Sequence, residues 1–266
     1  EMSAAGSDDF QMNKNTLVKY LGTASSVSIS DDVKVIGEEA FADNLGLNII
    51  SCGTNTKKIS HGAFANCTYL SKAEIPDSIE DIDSAAFSGC ESLTKVSIGK
   101  NVKNIGDGVF AGCNSLKEIS IDKNNSNLVM SDGALYNKDK TILYAYLNGN
   151  TKDTYKMPNT VKKIKEYAFW GNETLENITL SSALNEIPGY AFANCRNLKE
   201  ITIPYSVKSI DAKSFENCIS LKDTTIPSAI SYINATAFDG CYKLNIIADE
   251  GSVASDFFAA MDKSDI

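Results

Sequence analysis

The side chains that could do chemistry in this 266-residue chain are seven cysteines and one histidine. Six of the cysteines form two evenly spaced trios, Cys67, Cys90, Cys113 and Cys195, Cys218, Cys241, each step being 23 residues. A zinc site calls for close ligand pairs such as Cys-x-x-Cys, and the sequence has none. A thiol or hydroxyl nucleophile needs a base beside it. His61, the one histidine, sits three residues before Phe64, where Ser84 and Asp107 stand in other repeats, so it belongs to an exposed turn. The acidic pairs Asp8-Asp9, Asp31-Asp32 and Asp249-Glu250 lack the spacing of a calcium loop and read as solvated corners. A net charge of −9, with Arg196 as the one arginine, argues against nucleic acid, which requires a basic footprint. The expectation is a chain with no catalytic residues, no metal and no cofactor.

The elements that position these residues are repeats. Phenylalanine recurs at Phe41, Phe64, Phe87, Phe110, Phe169, Phe192, Phe215 and Phe238, and six of the seven intervals are 23 residues. A small residue precedes each anchor, and a leucine follows six positions later, from Leu47 and Leu70 to Leu221 and Leu244. Apolar residues at offsets nine and eleven, such as Val96 and Ile98 or Ile201 and Ile203, have strand spacing with one face inward. An isoleucine returns at offset eighteen, as in Ile82 and Ile210. A fixed period of this length signals a leucine-rich-repeat solenoid, in which no turn buries its own apolar face and each must stack on its neighbours. The cysteines fall three residues after the anchor, where Asn44 and Asn172 stand in two repeats. In such a ladder the thiols run parallel rather than toward one another, so they are expected to be buried, free and structural.

The consensus Ala-Phe-x-x-Cys-x-x-Leu-x-x-Ile-x-Ile-Pro-x-x-Val-x-x-Ile resembles the BspA-like, or treponemal-type, leucine-rich repeats over about nine-tenths of the chain. The resemblance implies a bacterial surface or secreted protein, often an adhesin or host-protein binder, with no catalytic residues to carry over. The fold class expected is a β-rich right-handed superhelix. One face carries a parallel sheet, the other short strands or 3-10 turns, and a short C-terminal helix caps the end. Residues 1–9 read as a flexible lead-in and 10–266 as a single solenoid domain. Within it, 10–22 is a hairpin cap turning at Asn13-Lys14-Asn15, and about 122–146 is a hairpin insertion. Residues 252–262 hold the capping helix, with Ser252 as N-cap and Val253, Phe257, Ala260 and Met261 on its inward face. The chain opens without a charged-then-apolar leader and is read as a mature or trimmed form. No apolar run reaches the ~18 residues of a membrane span.

Surface recognition is the remaining function class. Outward strand positions at offsets eight and ten make two columns. The first runs Lys72, Lys95, Glu118, Asn177, Glu200, Asp223, and the second runs Glu74, Ser97, Ser120, Thr179, Thr202, Thr225. Serine and threonine also suit any exposed sheet. A second candidate is aromatic: Tyr136, Tyr144, Tyr146, Tyr155, Tyr167 and Trp170 cluster in sequence, and Trp170 replaces an alanine found in four other repeats. The candidate ligand-binding set is Lys72, Glu74, Lys95, Ser97, Glu118, Thr179, Glu200, Thr202, Tyr205, Asp223, Thr225, Tyr136, Tyr144 and Trp170. The expected role is a monomeric extracellular or cell-surface scaffold binding a protein or glycan, host extracellular matrix among them. A ligand-free spacer of the cell envelope is the alternative, and an enzyme a distant third.

Overall fold

The computed structural model describes residues 5–261. It is a β-solenoid of about 10 turns with mostly parallel sheets and one short helix. The turns gather into two compact units, one from the described residues of Glu1–Lys138 with Leu147–Gly149, the other from Asp139–Tyr146 with the described residues of Asn150–Ile266.

In the first unit a broad-face parallel sheet runs through Ser26–Ser28, Ile49–Ser51, Lys72–Ile75, Lys95–Ile98 and Glu118–Ile121 without interruption. Its register follows the repeat, so that Lys72 lies beside Lys95 and Lys95 beside Glu118. Opposite it, two-residue strands such as Lys58–Ile59, Asp81–Ile82 and Asn104–Ile105 form a second parallel sheet. A third line of hydrogen bonds runs along the Phe-bearing turns. The amides of six anchors donate to the carbonyl of the small residue in the next turn, as from Phe41 to Ala63 at 2.7 Å and from Phe64 to Ala86 at 2.8 Å. Small residues at that column let the two backbones approach. Every Phe-bearing turn but the last, at Phe238, passes through the left-handed region on both sides of its anchor. Gly89 and Gly240 hold the second of these positions at φ +73° and +74°, and a Cβ on either would strike the neighbouring Asn66 or Asn217.

The anchors stack as one file of rings within each unit. Tyr20, Phe41, Phe64, Phe87 and Phe110 follow at centroid separations of 4.9, 4.9, 5.1 and 5.8 Å. In the second unit Tyr146, Phe169, Phe192, Phe215 and Phe238 follow at 5.3, 4.9, 5.3 and 5.1 Å. A tyrosine thus opens both files. Burying each such ring is worth roughly 1.5–3 kcal/mol relative to leaving it in water.

The ends and the interruption depart from the repeat. Phe10–Asn13 pairs antiparallel with Thr16–Tyr20 around Lys14, at φ 54°, and the second of these strands joins the narrow-face sheet through Val35–Ile36. Ser7–Asp9 forms one 3-10 turn, so order begins inside the segment read from sequence as a lead-in, whose residues 1–4 lie outside the described residues. Leu128–Ser131 and Ala134–Asn137 form an antiparallel hairpin about Asp132-Gly133, both at positive φ, the geometry of a primed two-residue turn. Val253–Ala260 is α-helical, and the Ser252 hydroxyl accepts from the Ser255 amide at 3.2 Å. Its inward face is only in part the one expected from sequence. Ala254 is buried and Phe257, Phe258 and Met261 are half-buried, while Val253 and Ala260 are exposed. Phe257 takes the contact with Phe238, at 6.1 Å between ring centroids, and thereby sets the helix's rotation. Asp262, the expected last residue of the helix segment, lies outside the described residues.

Candidate binding groove on the broad face

The cysteine ladder is structural by its geometry. Each of the six thiols donates to the carbonyl of the anchor one turn back: Cys67 to Phe41, Cys90 to Phe64, Cys113 to Phe87, Cys195 to Phe169, Cys218 to Phe192 and Cys241 to Phe215, all at 3.0–3.2 Å. Asn44 performs the same service from the same column, its Nδ2 donating to the Gly22 carbonyl at 3.1 Å while its Oδ1 caps the Gly46 and Leu47 amides. All seven cysteines are free. Burial pushes the thiols of Cys67 and Cys195 up to about 12, so neither is a thiolate at neutral pH and neither is an available nucleophile. No group of three or more His, Cys, Asp or Glu among the described residues could hold a metal ion. His61 is exposed.

The predicted surface residues divide between the units. In the first, Lys72 pairs with Glu74, and Lys95 with Glu118 across adjacent turns at 2.8 Å. Ser97 is half-buried beside them. The charges there are matched, and the hollow at Ser97, Ser120 and Asp122 measures only about 300 Å³.

In the second unit the same columns are built differently. Glu200–Thr202 pairs with Asn177–Thr179, and Asp223–Thr225 pairs with Asn245–Ile247, but the two pairs belong to separate sheets. Two features coincide at this seam. Glu200 and Asp223 are equivalent carboxylates of successive turns, and like charges opposed across strands are destabilising. Thr224 occupies the inward column where the neighbouring turns have Ile201 and Ile246; it is fully buried, and its hydroxyl donates to its own strand's Lys222 carbonyl at 3.2 Å. A groove of about 580 Å³ lies across the seam. Glu200, Thr202, Tyr205, Asp223 and Thr225, all proposed from sequence, line it together; Thr179 stands one strand away.

Sequence reasoning missed four of its main components. Pro204 and Pro227, the corner prolines, furnish apolar wall, and Asp249 adds a third carboxylate. Ile247 is the most instructive. By the regular count it faces inward, yet the last turn is one residue short, so Asp223 pairs with Asn245 and every later side chain changes face. Ile246 is buried and Ile247 is 49% exposed.

The aromatic cluster corrects the sequence expectation. Tyr136 is fully buried and Tyr144 is 8% exposed, leaving no surface for a ligand. Their rings fill core space at the irregular turns. Trp170 is half-buried. Tyr167 and Tyr190 stack face to face at 4.7 Å from left-handed backbone positions, and Lys213 sits 5.8 Å over the second ring.

A sequence profile of the BspA type leucine rich repeat region, in six copies, matches residues 14–142 and 140–258. The chain belongs to the BspA-type leucine-rich-repeat family. The pneumococcal vaccine antigen PcpA is similar, at 27% identity and a TM-score of 0.69 over 84% of this chain and 62% of that one. The chain therefore spans less than two thirds of that antigen. A leucine-rich repeat protein from Eubacterium ventriosum shares the fold at 22% identity (TM-score 0.67, 88% of this chain and 78% of that one). So does a leucine rich cell surface protein from Faecalibacterium prausnitzii, at 23% identity (TM-score 0.56, 94% and 86%). No curated protein sequence matches the chain significantly. In this BspA-type solenoid the cysteine and asparagine column holds the turns together, and no helix among the described residues is long and apolar enough to cross a membrane.

Proposed function

We propose that this BspA-type chain is a non-enzymatic binding scaffold displayed outside a bacterial cell, adhesin-like, which captures a protein or glycan with the broad face of its second unit. The observation that carries the reading is the convergence of five outward-facing strand and corner residues, Glu200, Thr202, Tyr205, Asp223 and Thr225, on one groove. Tyr205 is 71% exposed there. An exposed aromatic ring beside hydrogen-bonding hydroxyls is the composition of an interaction hot spot rather than of inert surface. The Faecalibacterium prausnitzii relative described as a cell surface protein supports the same reading, as does the burial that leaves neither the Cys67 nor the Cys195 thiol an available nucleophile.

The test is to probe extracellular-matrix protein and glycan arrays with the chain and with Tyr205→Ala. Saturable capture that Tyr205→Ala abolishes, at unchanged thermal midpoint, is the expected result. An array with no capture, or capture indifferent to Tyr205→Ala, would leave the molecule as a spacer that holds other parts away from the cell envelope.

A further inference from the structure

The chemical class of the ligand follows from the charge left unmatched in the groove, an inference that rests on the binding role just proposed. Glu200 and Asp249 have no ion-pair partner among the described residues, and Asp223 accepts only a neutral amide, the Asn245 Nδ2 at 3.1 Å. Lys222 is the one cation among the described residues that line the groove. In the first unit the equivalent column spends its carboxylate on Lys95 at 2.8 Å. The second unit instead sets Glu200 beside Asp223, keeps both side chains exposed, and interrupts the strand ladder between them. The three carboxylates are not gathered closely enough to chelate a metal ion. Their separation along a groove with apolar walls suits cations carried on apolar stems.

We infer that the groove between Glu200–Thr202 and Asp223–Thr225 receives an extended polypeptide segment bearing lysine or arginine. The cationic heads lie against Glu200, Asp223 and Asp249, and their methylene stems lie along Tyr205, Pro204 and Ile247. Charge complementarity selects this partner over a neutral or anionic glycan. The exposed tyrosine face offers a guanidinium both stacking and cation–π attraction. Long basic side chains commonly bury their stems on apolar surface while the charge stays wet. The groove spans three successive strands, Glu200–Thr202, Asp223–Thr225 and Asn245–Ile247, so an extended segment can lie across several turns.

The probe is a short fluorescein-labelled peptide alternating arginine with leucine, and its counterpart alternating glutamate with leucine. Both are titrated into the whole chain by fluorescence anisotropy at two salt concentrations. The arginine peptide is expected to saturate and to weaken with salt, and the glutamate peptide to show no binding. The double variant Glu200→Gln/Asp223→Asn should weaken the arginine peptide about tenfold, and Tyr205→Ala should weaken it as well. The control Glu74→Gln/Glu118→Gln removes the same charge from the first unit and should change nothing. Equal effects of the two double variants would mean general attraction to an acidic protein and would overturn the inference. So would equal binding of the two peptides, or no binding of the arginine peptide. If an array ligand depends on Tyr205 while the arginine peptide fails, the scaffold reading stands and the cationic class alone falls.

Discussion

The two units wrap the same repeat yet finish their broad faces in opposite ways. In the first, the sheet from Ser26–Ser28 to Glu118–Ile121 is unbroken and its charges are paired in place. In the second, the ladder parts between Glu200–Thr202 and Asp223–Thr225, carboxylates oppose each other, and a groove about twice the volume of the first unit's opens. The interior is common to both, since rings, thiols and leucines recur in the same order. The difference therefore resides in a handful of side chains at outward columns and in one buried threonine. A repeat protein can thus hold its core constant and vary its surface turn by turn.

The largest effect should show that the interiors are equivalent. Phe87→Ala in the first unit and Phe192→Ala in the second should each cost about 3–5 kcal/mol in urea unfolding, as expected for emptying a buried ring site. A loss in one unit alone would break the comparison at its root. Next come the thiols. Cys90→Ala and Cys218→Ala each strip the donor from a buried anchor carbonyl, and should cost about 1–3 kcal/mol. Asparagine at either position should cost less, because Asn44 donates from that column to a carbonyl of the preceding turn, Gly22.

A smaller effect should appear at the seam. Thr224→Val removes a buried hydroxyl that occupies the Lys222 carbonyl and restores an apolar side chain to the inward column. It should stabilise by up to about 1 kcal/mol and slow amide exchange in Glu200–Thr202 and Asp223–Thr225 as the strands close. Unchanged exchange there would mean that the opposed carboxylates alone keep the seam open.

The smallest effect concerns acid. The backbone amide and hydroxyl of Thr54 hold the Asp31 carboxyl below its usual range, the Lys100 amide does so for Asp77, and the Lys103 ammonium does so for Glu80. A carboxyl depressed by folding contributes stability above the usual carboxylate range and loses it as pH falls through the lowered folded value. The first unit should therefore lose protection at its corner amides, measured against the intrinsic exchange rate at each pH, below about pH 4, an acid sensitivity that Asp31→Asn and Asp77→Asn should each reduce at those corners.

The fold was legible because its controlling signal, a phenylalanine every 23 residues, outruns any local ambiguity. The cysteine column was legible too, since a thiol exchanging with asparagine at one position implies a shared hydrogen-bonding task. Four residues of the outward columns, Glu200, Thr202, Asp223 and Thr225, do line one groove. The break in the ladder was not legible, because Glu200, Asp223 and Thr224 all stand in ordinary strand positions of the repeat. Ile247 escaped because a single missing residue reverses all the faces beyond it. Tyr136 and Tyr144 were misassigned for a different reason: composition marks an aromatic cluster, but only packing tells an anchor from a filler. Asn125 gave no sequence signal at all. It is buried, donates to the Gly99 and Val102 carbonyls at 2.9 and 3.0 Å, and caps the amides of Asn127 and Leu128.

The bond from each thiol to the carbonyl one turn earlier also makes the molecule its own recorder. A turn that peels from its neighbour must release one sulfur to solvent, and a sulfur so released can be alkylated. Timed labelling followed by mass spectrometry would then read out, sulfur by sulfur from Cys67 to Cys241, which joints breathe first and which hold longest.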